Sequence, residues 1–186
     1  MPANHIGYTP TMESYLVVSA LGEDRPGLVK ALASAVAESG CSIKDSRMAV
    51  LGSDFAMSML VVGNWSAIAK FESALPRLSE KLGLTSQSRR SQARTASRTH
   101  LPYAVEVVAL DHAGIVYDVA DFFARRDINI EDLYTASYPA PHTGAPMFSL
   151  HMTVGIPSDL AIAAIRGEFM DFCDDLNLDA MLAPVK

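Results

Sequence analysis

The chain has 186 residues, room for one mid-sized or two small domains. With 49% hydrophobic and 19% charged residues it can bury a core, which excludes a largely disordered chain, and its net charge of −6 disfavours direct nucleic-acid binding. Cys41 and Cys173 lie far apart and outside any CxxC pair, which points to a reducing cytoplasm, and no apolar run nears the roughly 20 residues of a membrane span.

Residues 1–14 lack a basic region followed by an apolar run, so they do not read as a signal peptide, and residues 1–12 read as a mobile lead-in. A first strand is expected over residues 15–21, rich in Val and Leu. An Asp- and Gly-containing turn follows, then a helix with Leu28, Val29, Leu32, Ala35 and Val36 on one face. Two strands come next. A second helix carries Ile68, Phe71, Leu75, Leu78 and Leu82, and Pro76 within it predicts a kink or an early break. A weak strand near residues 84–89 closes the unit. Residues 91–99 are polar, with alanine their only apolar residue, and read as a linker.

The order then repeats. A strand is expected over residues 103–110, and a helix carries Ile115, Val116, Val119, Phe122 and Phe123. After two further strands a helix carries Ile162, Ile165, Phe169, Phe172 and Leu176, and a last strand lies near residues 177–184. Asp24 and Asp111, Gly27 and Gly114, and Ile43 and Ile130 are each 87 residues apart. Val62-Gly63 answers Val154-Gly155 at a spacing of 92, which places five extra residues in the Pro- and Gly-containing run 139–144. The order β-α-β-β-α-β, twice, predicts an α+β fold. It has two tandem ferredoxin-like domains over residues 13–90 and 100–186, each an antiparallel four-stranded sheet with two helices on one face.

Helices on one face leave the other open. The 92-residue spacing puts Phe55, Met57, Met59 and Val61 on the open face of the first copy with Tyr15, Val17, Ser19 and Leu21. In the second copy that face carries Met147, Ser149, His151, Thr153, Pro102, Ala104, Glu106 and Val108. An apolar patch such as the first copy's is expected to pack against another domain or subunit. A register shift of one residue would exchange the faces.

The turns are the candidate binding sites. Asp24 or Asp111 is expected to cap the following helix, and Pro26 suits a helix start. Gly27 or Gly114 clears room for a ligand. Free N–H groups and the helix dipole favour a carboxylate, so an amino acid would suit. A turn that merely caps a helix is the plainer reading. His112, His142 and His151 are too scattered for an expected metal site. Both cysteines read as buried structural thiols, with no base beside them for nucleophilic chemistry, so neither a catalytic group nor a cofactor is expected. Arg89, Arg90, Arg94 and Arg98 form a basic stretch, read as a solvated linker or as a docking strip for an acidic partner or nucleic acid.

The run Gly22-Glu23-Asp24-Arg25-Pro26-Gly27-Leu28, the helix after it and Ser39-Gly40-Cys41-Ser42-Ile43 resemble the ACT domain, as does the matching set in the second copy. Two such domains and little else resemble the glycine cleavage system transcriptional repressor family. The resemblance implies amino-acid sensing, oligomers and control of glycine-cleavage genes through a LysR-type activator, with glycine as the signal and no contact with DNA. The family's turn residues fall on Asp24, Arg25, Pro26 and Gly27, followed by Leu28. In the second copy they fall on Asp111, His112, Ala113 and Gly114, followed by Ile115, so Arg and Pro are lost. The family's ligand-contacting Asn at the start of the second strand is Ser42 in the first copy and Asn129 in the second. Neither copy holds the full set, which argues against simple two-site binding and leaves open one site, shared between domains or subunits, or none. The alternatives to a non-catalytic amino-acid sensor are a ligand-free interaction adaptor and a regulatory component of an amino-acid or folate enzyme. ACT domains are attached to such enzymes, formyltetrahydrofolate deformylase among them.

Overall fold

A computed structural model describes residues 13–93 and 99–185. The chain divides into two compact units, Met1–Thr95 and Ala96–Lys186. The expected lead-in and residues 94–98 of the expected linker lie outside the described residues.

In the first unit the elements are β1 (Ser14–Glu23), α1 (Leu28–Glu38), β2 (Ser42–Leu51), β3 (Asp54–Gly63), α2 (Trp65–Leu82) and β4 (Thr85–Ser91). Its four strands are antiparallel in the order β2-β3-β1-β4. The second unit repeats this with β5 (His100–Leu110), α3 (Ile115–Ala124), β6 (Asn129–Pro139), β7 (Pro146–Pro157), α4 (Ile162–Asp175) and β8 (Asp179–Pro184), ordered β6-β7-β5-β8. The expected βαββαβ repeat is therefore present twice. No helix among the described residues is long and apolar enough to cross a membrane.

Each sheet is two-sided because side chains alternate along its strands. Leu16, Val18 and Ala20 of β1 and Phe55, Met57, Met59 and Val61 of β3 are buried in one core with Leu28, Leu32 and Val36 of α1 and Ile68, Phe71 and Leu75 of α2. This corrects the expected faces of β3. Phe55, Met57, Met59 and Val61 point at the helices, and Ala56, Ser58, Leu60 and Val62 share the open face with Tyr15, Val17, Ser19 and Leu21. In the second unit Val105, Val107, Leu150, Met152 and Val154 face the helices, and the open face is as expected.

The cause is the length of the insertion. Val18 pairs with Met59, and Val105, its counterpart 87 residues on, pairs with Met152. Counterparts on the third strand are thus 93 residues apart (152 − 59), and the second copy has six extra residues, not five. Since faces alternate, a counterpart misplaced by one residue exchanges inside for outside.

Other helix expectations also change. Val29, Val116 and Leu176, expected on apolar helix faces, are exposed. Pro76 does not break α2, which continues to Leu82. Asn64 caps its start by accepting from the Ala67 N–H, and Gly83 ends it in the left-handed conformation with φ 64°. Buried Leu75 and Ser79 lie on either side of Pro76, and the Ser79 hydroxyl donates to that of Ser86 on β4, so both halves are anchored to the sheet.

Candidate functional site

The turn after β1 is tied to the neighbouring hairpin: the Asp24 N–H donates to the Ser53 carbonyl at 3.0 Å. The second unit repeats this, with the Asp111 N–H donating to the Pro146 carbonyl at 2.9 Å. Neither aspartate caps its helix. The cap position is Gly27 in one unit and Gly114 in the other, with φ 97° and 108° and no side-chain hydrogen bond to the helix. Glycine suits both positions because side-chain-bearing residues avoid this backbone region. Pro26 accordingly precedes the cap and is not in the first helical turn. The first intrahelical bond of α1 runs from the Ala31 N–H to the Gly27 carbonyl, so the N–H groups of Leu28, Val29 and Lys30 have no partner inside the helix.

Arg25 reaches across to the second helix. Its Nη2 donates to the Leu82 carbonyl at 2.8 Å, satisfying a carbonyl of the last turn of α2. Its counterpart His112 makes a local contact, Nδ1 to the Ala113 oxygen. Leu28 and Ile115 are buried and anchor their helices to the cores.

The two helix starts differ in charge. The first turn of α1 holds no acid and carries Lys30, whereas that of α3 holds Asp118. The Asp118 Oδ2 lies 3.5 Å from where a Cβ on Gly114 would sit. A carboxylate in the first helical turn already complements the positive end of the dipole and repels a second anion. An anionic ligand therefore suits the first unit's turn better than the second's. The α3 turn instead borders a hollow of about 300 Å³ lined by His112, Gly114, Ile115, Val116, Tyr117 and Phe148. Lys30 and Asp118 stand outside the turn motif that sequence reasoning singled out. The 87-residue alignment could have found them, since it sets Lys30 against Tyr117 and Ala31 against Asp118.

Ser42 and Asn129 do not join these turns within a unit. Ser42 pairs with Val62 at the end of β3, while Glu23, beside the turn, pairs with Asp54 at its start. The length of α1, 11 residues or about 16 Å, separates them. Asn129, paired with Gly155, stands in the same relation to the turn after Leu110, which pairs with Met147. One ligand of amino-acid size does not span both sets within a unit.

The remaining candidates are dispersed. His151 lies on the open face, stacked on Tyr134, while His142 is on the β6–β7 loop and His112 at the turn. Among the described residues no three His, Cys, Asp or Glu side chains are placed to hold a metal. Both cysteines are free and buried. Burial raises the Cys41 thiol, opposed by Lys70, and burial followed by the Asp174 charge pushes Cys173 up to about 12. Thiols held protonated in this way are poor nucleophiles. Arg89 and Arg90 belong to β4, and Arg90 meets Glu72 at 2.8 Å and lies over the Trp65 ring. Arg94 and Arg98 lie outside the described residues.

Residues 14–88 match the ACT domain family. The glycine cleavage system transcriptional repressor of Escherichia coli (strain K12) is 33% identical over 169 residues, covering 91% of this chain and 89% of that protein. A crystal structure assigned to a glycine cleavage system transcriptional repressor superposes with a TM-score of 0.69 at 27% identity, over 94% of this chain and 99% of the other. An unknown protein from Galdieria sulphuraria superposes with a TM-score of 0.74 at 30% identity, over the same shares.

Proposed function

The chain belongs to the glycine cleavage system transcriptional repressor family of ACT-domain proteins, and from that premise we propose that it is a non-catalytic regulator that binds glycine or another small amino acid. The ligand's carboxylate sits at the start of α1, on the N–H groups of Leu28, Val29 and Lys30. One observation carries this choice of turn: α1 opens without a capping side chain or an acid, while α3 opens with Asp118. Occupancy alters the grip of the protein, as a homo-oligomer, on a LysR-type activator of glycine-cleavage genes. The activator, and not this chain, contacts DNA, in keeping with the net charge of −6.

The test is a thermal-shift screen of the purified protein against the common amino acids, glycine first. A ligand at about 100 times its Kd that binds only the folded state adds about 2.7 kcal/mol. A shift for one small amino acid supports sensing and names the signal. A flat screen with well-folded protein overturns it in favour of the ligand-free adaptor, and turnover of an amino acid or folate would make the chain part of an enzyme.

A further inference from the structure

Charge is divided unequally between the units. Residues 13–93 carry nine basic and eight acidic side chains, whereas residues 99–185 carry three basic and thirteen acidic, a net charge of −10. None of the strands β5 to β8 contains Lys or Arg. The three basic residues of this stretch are Arg125, Arg126 and Arg166. The first two lie at the end of α3, paired with Asp121 and Glu168, and Arg166 lies within α4. The open sheet face of the second unit presents Glu106, Asp132 and Asp179, with no cation contributed by its own strands.

That face is also shaped. Glu106, His151 and Tyr134 stand in one row across β5, β7 and β6, and Ala104, Thr153 and Asp132 form the next. The Tyr134 ring stacks on His151 with centroids 4.6 Å apart and planes 11° from parallel. These residues border a hollow of about 130 Å³. Pockets for whole small molecules start at about 300 Å³, so this one suits the planar end of a single side chain.

The first unit offers an internal comparison. The residues at these positions are Ser19, Ser58 and Arg47 in the first row, and Val17, Leu60 and Asp45 in the second. There the guanidinium of Arg47 donates to Asp45. The second unit keeps the second-row carboxylate as Asp132, replaces the arginine with Tyr134, and adds Glu106 and His151. The position that holds a guanidinium in one unit thus holds a ring in the other, with a further carboxylate in its row. A guanidinium is planar, stacks on aromatic rings and donates in a fork to carboxylates, none of which an ammonium does as well.

We propose that the open sheet face of the second unit docks a basic protein surface, and that one arginine of that partner enters the hollow against the Tyr134–His151 rings, its N–H groups donating to Glu106. This rests on the regulatory reading above in one respect, the partner's identity. A transcriptional activator must present a basic surface to hold DNA phosphates, and an acidic face that covers it competes with DNA.

The test uses the full chain with hexa-arginine and hexa-lysine peptides, equal in charge, followed by calorimetry and by the NMR signals of the His151 and Tyr134 rings. Hexa-arginine is expected to bind about tenfold more tightly than hexa-lysine and to shift both ring signals, the size of one desolvated ring–cation contact. Tyr134→Ala, at a residue 61% exposed and so dispensable for folding, removes that preference and leaves hexa-lysine binding nearly unchanged. Glu106→Gln weakens hexa-arginine binding as well. Equal affinity for the two peptides, ring signals of His151 and Tyr134 that stay in place on binding, or a preference that survives Tyr134→Ala would each overturn the proposal. The peptides involve neither activator nor amino acid. Their failure leaves the sensing reading standing, and a flat amino-acid screen leaves this surface standing.

Discussion

At position 27 the backbone needs a residue that tolerates φ 97°, and beyond its two chain neighbours no heavy atom lies within 4 Å of where a Cβ would go. Strain, and not collision, is thus what a side chain brings there. Gly27→Val is expected to cost about 1–3 kcal/mol, read as a lowered Tm, with the circular dichroism spectrum retained. Distortion of the α1 start should also abolish the glycine response, and an unchanged response would remove this turn from the site. Cys173 permits a different test. Its thiol is raised from 9.0 to about 12 by burial and the Asp174 charge. An unfolded chain loses that proton near 9, so above that pH the native state binds the extra proton. This thiol's contribution is therefore constant below pH 9 and falls as pH rises from 9 towards 12, by about 1.4 kcal/mol per unit. Denaturant titrations of the wild type and Cys173→Ala across that range should show the wild type's advantage shrinking as pH rises.

At the scale of elements, β3 shows how a local pattern underdetermines a strand's surroundings. Its residues are apolar on both sides, with Met57, Met59 and Val61 on one and Leu60 and Val62 on the other. Alternation alone therefore does not say which side meets the helices. Pairing with β1 decides it, because Val18 and Met59 are opposite one another and share a face. Met59→Ala is expected to cost about 2–5 kcal/mol, and Ser58→Ala, its neighbour on the open face, no more than about 0.5 kcal/mol, in denaturant titrations. The reverse order would restore the faces expected from sequence. β7 is less ambiguous, since Ser149, His151 and Thr153 mark the open side by their polarity. The 92-residue spacing undercounts the six extra residues before it because Val62-Gly63 and Val154-Gly155 match in composition one residue out of structural register. In α2, Pro76 reads as a break from local propensity, and burial of Leu75 and Ser79 on either side of it overrides that propensity.

At the scale of the whole molecule, the buried apolar residues among those described form two separate clusters. One gathers Phe55, Met59, Ile68 and Phe71, and the other gathers Phe123, Leu150, Phe169 and Cys173, with none in common. The chain's single tryptophan, Trp65, opens α2 and so belongs to the first unit. Phe71→Ala is expected to cost the first unit about 3–5 kcal/mol. Its Trp65 fluorescence transition should move to lower denaturant, while the part of the circular dichroism change that belongs to the second unit stays in place. Coincident loss of both signals in the variant would show instead that the two units unfold as one.

The repeat, the order of the elements, most of each apolar helix stripe and the turn glycines are legible in the sequence. Those follow from spacing and alternation along the chain and from backbone conformations that only certain residues tolerate. The sequence also carries the family, through the Gly22–Leu28 turn and its echo 87 residues on. Tertiary structure alone decided which side of β3 is inside, that Gly27 and Gly114 rather than the aspartates occupy the cap positions, and that Arg25 ties its turn to α2. It alone set Asp118 beside Gly114, held Ser42 and Asn129 a helix length from their turns, and brought Tyr134, His151 and Glu106 into one row. Each of these depends on strand register or on contacts between segments distant in sequence. Such relations arise only when chain segments pair and pack, so no local pattern encodes them.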